Sequence, residues 1–260
     1  MNRRRFLAFT GAAVASNLLR PSVGKTFNAI GLGRKVKAVA FDAFPIFNPS
    51  PVFALAEKLF PGNGPVLSDE WRTRQFEYTW LRTAAHHYAD FWRTTQDALT
   101  FAASKLRLDL STDRREALMN AYLKLAIWPD VTPALNRLKT LGLQLAFLSN
   151  FTPHMLDANI KNAGFEKVFD QVISTDLAGT FKPDPRAYQL GIDVLRLQRE
   201  EILFVAFAGW DAAGAKLFGY PTFWTNRLKL PPEELDAIPD ASATSLLELA
   251  QFLETSAASA

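Results

Sequence analysis

The sequence contains no cysteine among its 260 residues. This absence excludes disulfide bridges, thiolate metal sites and cysteine nucleophiles, and it gives no information about the redox compartment. The sequence also lacks any run of about 20 apolar residues, which is the length that a membrane-spanning helix requires. With 48% hydrophobic and 21% charged residues, the chain has the composition of a globular protein with a sizeable core.

A large excess of one charge sign is missing as well, and the formal net charge of +3 has a single source. Residues 1–15 contain Arg3, Arg4 and Arg5 but no acidic residue, and without these arginines the basic and acidic residues are equal in number. The rest of the chain shows no basic stripe, so we expect no nucleic-acid partner.

The N-terminal segment has the parts of an export signal: arginines, a short apolar stretch at residues 6–15, and the small-residue site Ala13-Val14-Ala15. The order Arg3-Arg4-Arg5-Phe6-Leu7 resembles a twin-arginine signal. Residues 1–34 are therefore predicted to be a signal peptide and linker. The processed protein is predicted to be soluble and periplasmic, with the twin-arginine (Tat) export machinery as a partner. A disordered basic tail is the alternative interpretation.

From residue 36 onward, short apolar runs alternate with helical stretches. The predicted strands are residues 36–41, 143–149, 171–175, 202–207 and 222–225, and the predicted helices between and after them are residues 153–163, 184–196, 211–218 and 244–254. This alternation is typical of an α/β fold with a doubly wound parallel sheet. Residues 52–127 instead show only helical periodicity. We therefore predict an α/β core from residues 35–50 and 130–258, with an inserted α-helical cap domain at residues 51–129.

Chemically active side chains follow four of the predicted strands. Asp42, Ser149, Lys182 and Asp211 come after the first, second, third and fourth strand of the core, in that order. Because the carboxyl ends of parallel strands meet at one edge of a sheet, we expect these side chains to converge. Each residue alone has a structural explanation, as a turn residue, a helix cap or a solvated charge. Their occurrence at successive strand ends predicts one catalytic site.

This order of residues resembles that of the haloacid dehalogenase (HAD) superfamily, whose motifs are a nucleophilic Asp, a Ser or Thr, a Lys and a final acidic residue. The resemblance covers nearly all of residues 36–255 and looks closest to the type II 2-haloacid dehalogenases, which act on (S)-2-haloacids. It is carried by the stretches FDAF (41–44), WRTRQFEYTWLR (71–82), LSN (148–150), FKPDPRAY (181–188) and WDAAGAKLFGYPTFWTNR (210–227). It implies a HAD-like Rossmannoid core with a helical cap.

The resemblance implies a two-step hydrolysis of a small 2-haloalkanoic acid. Asp42 would attack C2 and expel the halide, and water would then hydrolyse the aspartyl ester to give a 2-hydroxy acid. Lys182 would orient Asp42 and keep it ionised, because a nearby cation favours the charged form of a carboxylate. Asp211 would hold Lys182 or the hydrolytic water.

The cap would contribute Arg72, at the start of a predicted helix over residues 71–82, and its charge would meet the departing halide. An exposed ion pair with Asp69 or Glu70 is the structural alternative for Arg72. The residues that the resemblance assigns to the substrate site are Ser149, Asn150, Tyr188, Phe44 and Trp210. The resemblance implies no metal and no cofactor, and it implies a homodimer formed through cap helices.

Two short stretches depart from the pattern. Phe44-Pro45-Ile46 stands where the dehalogenases have Tyr-Gly-Thr, and Ala206-Phe207-Ala208 stands where they have Ser-Ser-Asn. Phe44 also occupies the position of the general acid of the superfamily's phosphatases, which disfavours phosphoester hydrolysis. Ile46, Ala206 and Ala208 lack groups that would hold the nucleophile and the water, so the resemblance implies slow turnover.

Two other functions remain open at this point. One is a catalytically degenerate binding protein on the same scaffold, and the other is a hydrolase of another small carboxylate or ester.

Overall fold

The computed structural model describes residues 36–258, and the predicted signal peptide and linker at residues 1–34 lie outside them. Within the described residues, six strands form one parallel sheet and two short strands form a second, antiparallel one. Helices cover the large sheet on both faces. The predicted α/β fold with a doubly wound parallel sheet is therefore confirmed.

The strands are β1 (Ala38–Phe41), β2 (Phe47–Asn48), β3 (Ala126–Ile127), β4 (Gln144–Ser149), β5 (Gln171–Ser174), β6 (Ile202–Ala206), β7 (Thr222–Thr225) and β8 (Ala241–Ala243). The helices are α1 (Ser50–Leu59), α2 (Gly64–Ala84), α3 (Phe91–Lys105), α4 (Thr112–Ala121), α5 (Val131–Thr140), α6 (Pro153–Ala163), α7 (Pro185–Leu195), α8 (Gly209–Phe218) and α9 (Leu246–Ala258). No helix within residues 36–258 is long and apolar enough to span a membrane.

The strand order of the large sheet is β5-β4-β1-β6-β7-β8, which places β1 between β4 and β6. All of β1 is buried, because successive side chains of a strand point to opposite faces and both faces are covered here. Val39 and Phe41 pack with the apolar residues of α5, α6 and α9, whereas Ala40 packs with those of α7 and α8. In register, Phe41 lies opposite Phe147 of β4 and Val205 of β6, so these three strands end side by side.

The inserted helices α1 to α4 lie between β2 and β3, which pair with each other at the entrance to the insert. Helices α2 and α3 pack closely: the Trp71 indole donates to the Thr95 carbonyl at 2.8 Å, and the Gln75 amide donates to the Thr95 hydroxyl at 2.6 Å. Trp71 and Phe91 belong to the same buried apolar cluster as Phe41 of the sheet. The core therefore continues from the sheet into the helical insert.

The start of α2 differs from the prediction. The helix predicted over residues 71–82 is part of a longer helix, which begins at Gly64. The carboxylate of Glu57 accepts the backbone N–H groups of Gly62 and Gly64 at 2.8 and 3.0 Å, and a Cβ at Gly64 would lie only 2.2 Å from the Glu57 Cα. This close turn sets the start of the helix, so Arg72 lies inside α2 and not at its start.

Candidate active site

The carboxylate of Asp42 lies directly after β1, at the edge where the parallel strands end. Its Oδ1 accepts hydrogen bonds from Lys182 Nζ at 3.0 Å and from the Ser149 hydroxyl at 3.3 Å. Its Oδ2 accepts the backbone N–H of Phe44 at 3.2 Å. The side chain is 12% exposed and lines a cavity between the sheet and the helical insert. Asp42 is therefore a held carboxylate that a small molecule in the cavity can reach.

Lys182 is a buried cation between two carboxylates. Its side chain is 1% exposed, and Nζ lies 3.0 Å from Asp42 Oδ1 and 2.6 Å from Asp211 Oδ2. Burial lowers the pKa of Lys182, but the charges of Asp211 and Asp42 outweigh this effect and raise the pKa above its ordinary value. Lys182 therefore stays protonated and fixes the direction of the Asp42 carboxylate.

Asp211, in the first turn of α8, is the third charged group of the site, next to Lys182. Burial raises the pKa of Asp211 to about 6, with Lys182 opposing this rise and Asp42 adding to it. Its Oδ1 accepts the hydroxyl of Tyr188 at 2.7 Å, so both carboxylate oxygens have partners. When both carboxylates are ionised, the three groups carry a net charge of −1, since one cation lies between them.

Tyr188 does not line the cavity, contrary to its predicted place in the substrate site. Its side chain is fully buried behind Asp211, on the α7 and α8 side of the sheet. Gly214 permits this approach, because a Cβ there would lie 2.6 Å from the Tyr188 hydroxyl. Burial raises the pKa of Tyr188 well above its ordinary value, with Asp211 contributing, so the hydroxyl remains a donor. Tyr188 is a positioning residue that acts through Asp211.

Ser149 and Asn150 end β4 and line the cavity, as the predicted site requires. The Ser149 hydroxyl accepts the Phe151 N–H at 3.2 Å and donates to Asp42. The Asn150 Oδ1 accepts the Lys182 N–H at 3.0 Å and the Thr175 hydroxyl at 3.2 Å. Asn150 therefore anchors the backbone of the segment that delivers Lys182.

Arg72 reaches the same cavity from α2, and among the described residues that line the cavity it is the only cation. Its side chain is 47% exposed, and its guanidinium lies 3.4 Å from the Asp69 carboxylate. The ion pair expected as the structural alternative is thus present, although an exposed pair of this kind contributes little to stability. Because the buried charges of the site sum to −1, Arg72 supplies the positive charge that an anionic ligand requires.

The cavity has a volume of about 530 Å³, and aromatic side chains make up much of its wall. Phe44 and Trp210 line it as predicted. The sequence pattern did not single out the aromatic residues that accompany them, which are Phe53, Phe76, Trp80, Phe91, Tyr122, Trp128, Phe151 and Phe207. The helical segment of the sequence is rich in aromatic residues, and this composition indicates an apolar pocket wall. It does not indicate which of these rings face the cavity.

Three of the residues that depart from the family pattern lie in different surroundings. Ile46 and Ala206 are fully buried and do not line the cavity, because Ile46 packs in the sheet-to-insert core and Ala206 packs on the α7 and α8 face near Tyr188. Ala208 does line the cavity. Of Ile46, Ala206 and Ala208, only Ala208 lines the cavity, as do Phe44 and Phe207 of the same two stretches.

The turn after Asp42 is held by two side chains that the sequence pattern did not assign to the site. The Trp128 indole donates to the Phe44 carbonyl at 2.9 Å, and the Arg227 guanidinium donates to the Pro45 carbonyl at 3.0 Å. Arg227 forms an ion pair with Asp130 at 2.9 Å and lies over the Trp128 ring at 4.7 Å. These contacts fix the Phe44 N–H toward the nucleophile without a glycine or a threonine in the turn.

The arrangement does not fit the magnesium site of a phosphatase. The Phe44 side chain provides no oxygen ligand, and its backbone carbonyl already accepts the Trp128 indole. Both oxygens of Asp211 are engaged by Lys182 and Tyr188. Within residues 36–258 no group of three or more His, Asp or Glu side chains is placed to hold a metal ion. The residues present fit a carboxylate nucleophile beside a lysine better than they fit a set of magnesium ligands.

Comparison with known proteins finds one matching family model and several proteins of similar sequence. The family model of haloacid dehalogenase-like hydrolases matches residues 19–219. The (S)-2-haloacid dehalogenase of Pseudomonas sp. (strain YL) is 42% identical over 226 residues, which cover 86% of this chain and 97% of that protein. The haloacetate dehalogenase H-2 of Moraxella sp. (strain B) is 38% identical, over 80% of this chain and 93% of that protein.

Solved structures are similar over the same extent. The L-2-haloacid dehalogenase of Xanthobacter autotrophicus, with chloropropionic acid covalently bound, has a TM-score of 0.79 and 33% identity, and the match covers 84% of this chain and 98% of that one. Another L-2-haloacid dehalogenase has a TM-score of 0.83 and 42% identity, with 85% and 99% of the two chains covered. The similarity thus includes the sheet and the helical insert together.

Proposed function

This chain belongs to the haloacid dehalogenase-like hydrolases, and we propose that it hydrolyses (S)-2-haloalkanoic acids to 2-hydroxy acids through an aspartyl ester on Asp42. The observation that supports this proposal most is the row of hydrogen-bonded side chains Asp42, Lys182 and Asp211 at the floor of the cavity, where Asp42 is the accessible member. A carboxylate that is oriented and largely removed from water is a competent nucleophile, whereas a solvated one is a poor nucleophile. The relatives named (S)-2-haloacid dehalogenases support the same reaction.

In the first step, Asp42 attacks C2 of the substrate from the side opposite the halogen. A C–O bond forms, the carbon–halogen bond breaks, and the halide leaves with the electron pair, so the configuration at C2 inverts. The two oxygens of Asp42 differ, because Oδ1 is held by Lys182 and Ser149 whereas Oδ2 accepts only the Phe44 N–H. Oδ2 is the freer of the two and is the oxygen that we assign to the attack.

In the second step, water adds to the carbonyl carbon of the ester on Asp42. The Asp42–C2 ester is cleaved at its carbonyl side, the 2-hydroxy acid leaves, and the carboxylate is restored. One proton of the water passes to the product hydroxyl and the other is released to solvent. Lys182 stabilises the negative charge that develops on the carbonyl oxygen, because its ammonium lies within hydrogen-bond distance of Asp42.

The substrate is an anion, and the site offers it defined partners. Arg72 supplies positive charge at the cavity wall, and Ser149 supplies a hydroxyl beside Asp42. The Arg72 guanidinium can receive the halide as it gains charge. The Ser149 hydroxyl has one proton, so it donates to the substrate carboxylate only when it releases Asp42 Oδ1, which Lys182 continues to hold.

Ester hydrolysis is the slower step in this proposal. Ala208 lines the cavity with a methyl group, which can neither donate nor accept a hydrogen bond to a water beside Asp42. The loss of one positioned donor at such a site lowers the rate by a factor of about 10²–10³. The same alanine is the observation that favours the alternative function, a binding protein that retains the pocket but does not complete the reaction.

Export and assembly complete the proposal. Residues 1–34 are proposed to be a twin-arginine signal that directs a soluble protein to the periplasm, on the sequence pattern of Arg3 to Leu7. The protein is also proposed to form a homodimer through its cap helices, as the resemblance implies. Cell fractionation of the Arg3→Lys/Arg4→Lys double variant tests the signal, since retention in the cytoplasm is expected only for the variant.

Chloride release from (S)-2-chloropropionate tests the reaction. We expect release by the unmodified protein, inverted (R)-lactate as the product, and no release above background by the Asp42→Asn variant. The (R) enantiomer of the substrate serves as the matched control for stereochemistry. Equal chloride release by the protein and by Asp42→Asn would refute the proposed function.

A further inference from the structure

The size of the cavity bears on the length of the substrate. Its volume is about 530 Å³, and at about 30 Å³ for each water-sized group this space holds about 18 such groups. A 2-halopropionate has only six non-hydrogen atoms and would leave most of the space unfilled. Because empty apolar space forfeits contacts, a short acid uses only part of the binding energy that this wall offers.

One wall of the cavity continues from the catalytic floor to the protein surface. Trp210, beside Asp211, contacts Phe76 of α2 with ring centroids 5.2 Å apart and Trp80 of α2 with ring centroids 5.6 Å apart. Trp80 is 38% exposed, so this aromatic wall reaches solvent. The wall crosses from the core to the helical insert, and it offers ring faces along its length.

Two exposed leucines also line the cavity, together with the polar side chains of Asn226 and Glu233. Leu228 and Leu230 line the cavity and are 51% and 52% exposed. Leu230 is held in place by Asn226, which donates its amide to the Leu230 carbonyl at 2.8 Å and accepts the Leu230 N–H at 2.9 Å. Exposed large apolar side chains beside a pocket can pack against the apolar part of a ligand.

The cavity is lined by polar groups at its floor and also by the polar side chains of Glu77, Asn226 and Glu233. Arg72, Ser149, Asn150 and Asp42 surround the place where C2, its carboxylate and its halogen react. The aromatic wall and the two leucines lie beyond them. A ligand with one anionic end and a long apolar end can place the anionic end at Arg72 and the apolar end along the uncharged rings of Phe76, Trp80 and Trp210.

We propose that the site takes medium-chain (S)-2-haloalkanoic acids, whose alkyl chain of about four to eight carbons beyond C2 lies along Phe76, Trp80 and Trp210 toward Leu228 and Leu230. This inference rests on the proposed function for the reacting end of the molecule. The chain itself is recognised by apolar contact and needs no reaction to bind. Binding and turnover can therefore be tested separately.

The binding test uses propionate, hexanoate and octanoate, which carry no leaving group and cannot react. Isothermal titration of the unmodified protein is expected to show affinity that rises with chain length, because each fully buried methylene strengthens binding by about fourfold. Octanoate is expected to bind at least tenfold more tightly than propionate. Equal or weaker binding of octanoate would overturn the inference.

Two variants of α2 make the test specific to the wall. Trp80→Ala is expected to lower the ratio of octanoate to propionate affinity by about fourfold or more, the contribution of one buried methylene. Leu81→Ala is the matched control, because Leu81 is the next residue on the same helix, is 60% exposed and does not line the cavity. An unchanged ratio in Trp80→Ala, or the same fall in both variants, would overturn the assignment of this wall.

Halide release distinguishes the inference from the proposed function. We expect a higher kcat/KM for (S)-2-bromooctanoate than for (S)-2-bromopropionate. If (S)-2-bromopropionate is hydrolysed and the longer acid has an equal or lower kcat/KM, the chain-length inference fails and the function stands. If octanoate binds tightly and neither bromo acid releases bromide, the dehalogenase function fails, and the assignment of the wall to medium-chain carboxylates stands.

Discussion

Replacing Lys182 by methionine removes the cation that separates two carboxylates, and the protein is expected to lose stability in a pH-dependent way. Lys182 is 1% exposed and Asp211 is 2% exposed, with 2.6 Å between Nζ and Oδ2. Removing one partner of such a buried pair costs about 3–5 kcal/mol when the remaining charge has no other compensation. Asp211 can escape part of this cost by taking up a proton, because its pKa is already raised to about 6 in the presence of the lysine.

The direction of the pH dependence follows from that proton. Without Lys182 the pKa of Asp211 rises further above the ordinary value of 3.8, since the lysine is the main group that lowers it and only the Tyr188 hydrogen bond remains. A group whose pKa is raised in the folded state favours folding when it is protonated, and this contribution is lost as the pH rises through the folded-state pKa. The deficit of Lys182→Met is therefore expected to be small near pH 4 and to approach about 3 kcal/mol at pH 8.

Urea unfolding of the variant and the unmodified protein at pH 5 and pH 8, followed by circular dichroism, measures this deficit. Lys216→Met is the matched control, because Lys216 also pairs with a carboxylate, Asp240 at 2.6 Å, but its side chain is 33% exposed. A pair with this much solvent contact is expected to contribute less than the buried pair, about 1 kcal/mol. A loss in Lys182→Met no larger than that in Lys216→Met, or a loss that does not grow with pH, would refute the reasoning.

Three further predictions concern the reaction itself. The kcat/KM for (S)-2-chloropropionate is expected to fall below about pH 6, because Asp211 takes up a proton there. A pH profile without this fall, or the same fall in Asp211→Asn, would contradict the role of that carboxylate. Trp128→Phe removes the donor to the Phe44 carbonyl. It is expected to lower the free energy of unfolding by about 1 kcal/mol and to lower kcat more than it changes KM. An unchanged kcat would show that the turn does not need this hydrogen bond. Ala208→Asn is expected to raise steady-state turnover and to shorten the lifetime of the ester on Asp42, seen as less adduct by intact-protein mass spectrometry, and an equally long-lived adduct would place the slow step elsewhere.

The strand-end residues could be predicted from the sequence because each follows a short apolar run. In a parallel sheet that pattern alone places Asp42, Ser149 and Asp211 at one edge, and the structure brings them together with Lys182. The predicted strand at residues 222–225 coincides with Thr222–Thr225. Buried strands of parallel sheets are apolar on both faces, which makes them conspicuous in a sequence.

Other features depend on tertiary contacts that no local pattern encodes. β8 at Ala241–Ala243 was not predicted, because its three residues include no large apolar side chain. The sequence places Tyr188 in the substrate site, but its position behind Asp211 depends on the close approach of α7 and α8 at Gly214.

The helix at residues 153–163, in contrast, follows from local signals, since Thr152 caps it and Gly164 ends it in the left-handed conformation.

The departures from the family pattern show the same limit. The sequence places Ile46 and Ala206 next to the nucleophile and the final carboxylate, whereas the structure buries both side chains away from the cavity. Trp128 and Arg227 lie far from Asp42 in the sequence, yet they hold the carbonyl groups of the turn that follows it. A substitution in a motif therefore has to be weighed against contacts from distant parts of the chain.

The covalent role of Asp42 is the central claim, and the path of oxygen tests it most directly. With the protein in excess over (S)-2-chloropropionate in H₂¹⁸O, a single turnover is expected to put ¹⁸O into the Asp42 carboxylate and to leave the hydroxyl of the lactate unlabelled. Mass spectrometry of the peptide that contains Asp42 and of the lactate measures both. Labelled lactate with an unlabelled Asp42 would mean that water attacks C2 directly, and it would contradict the account.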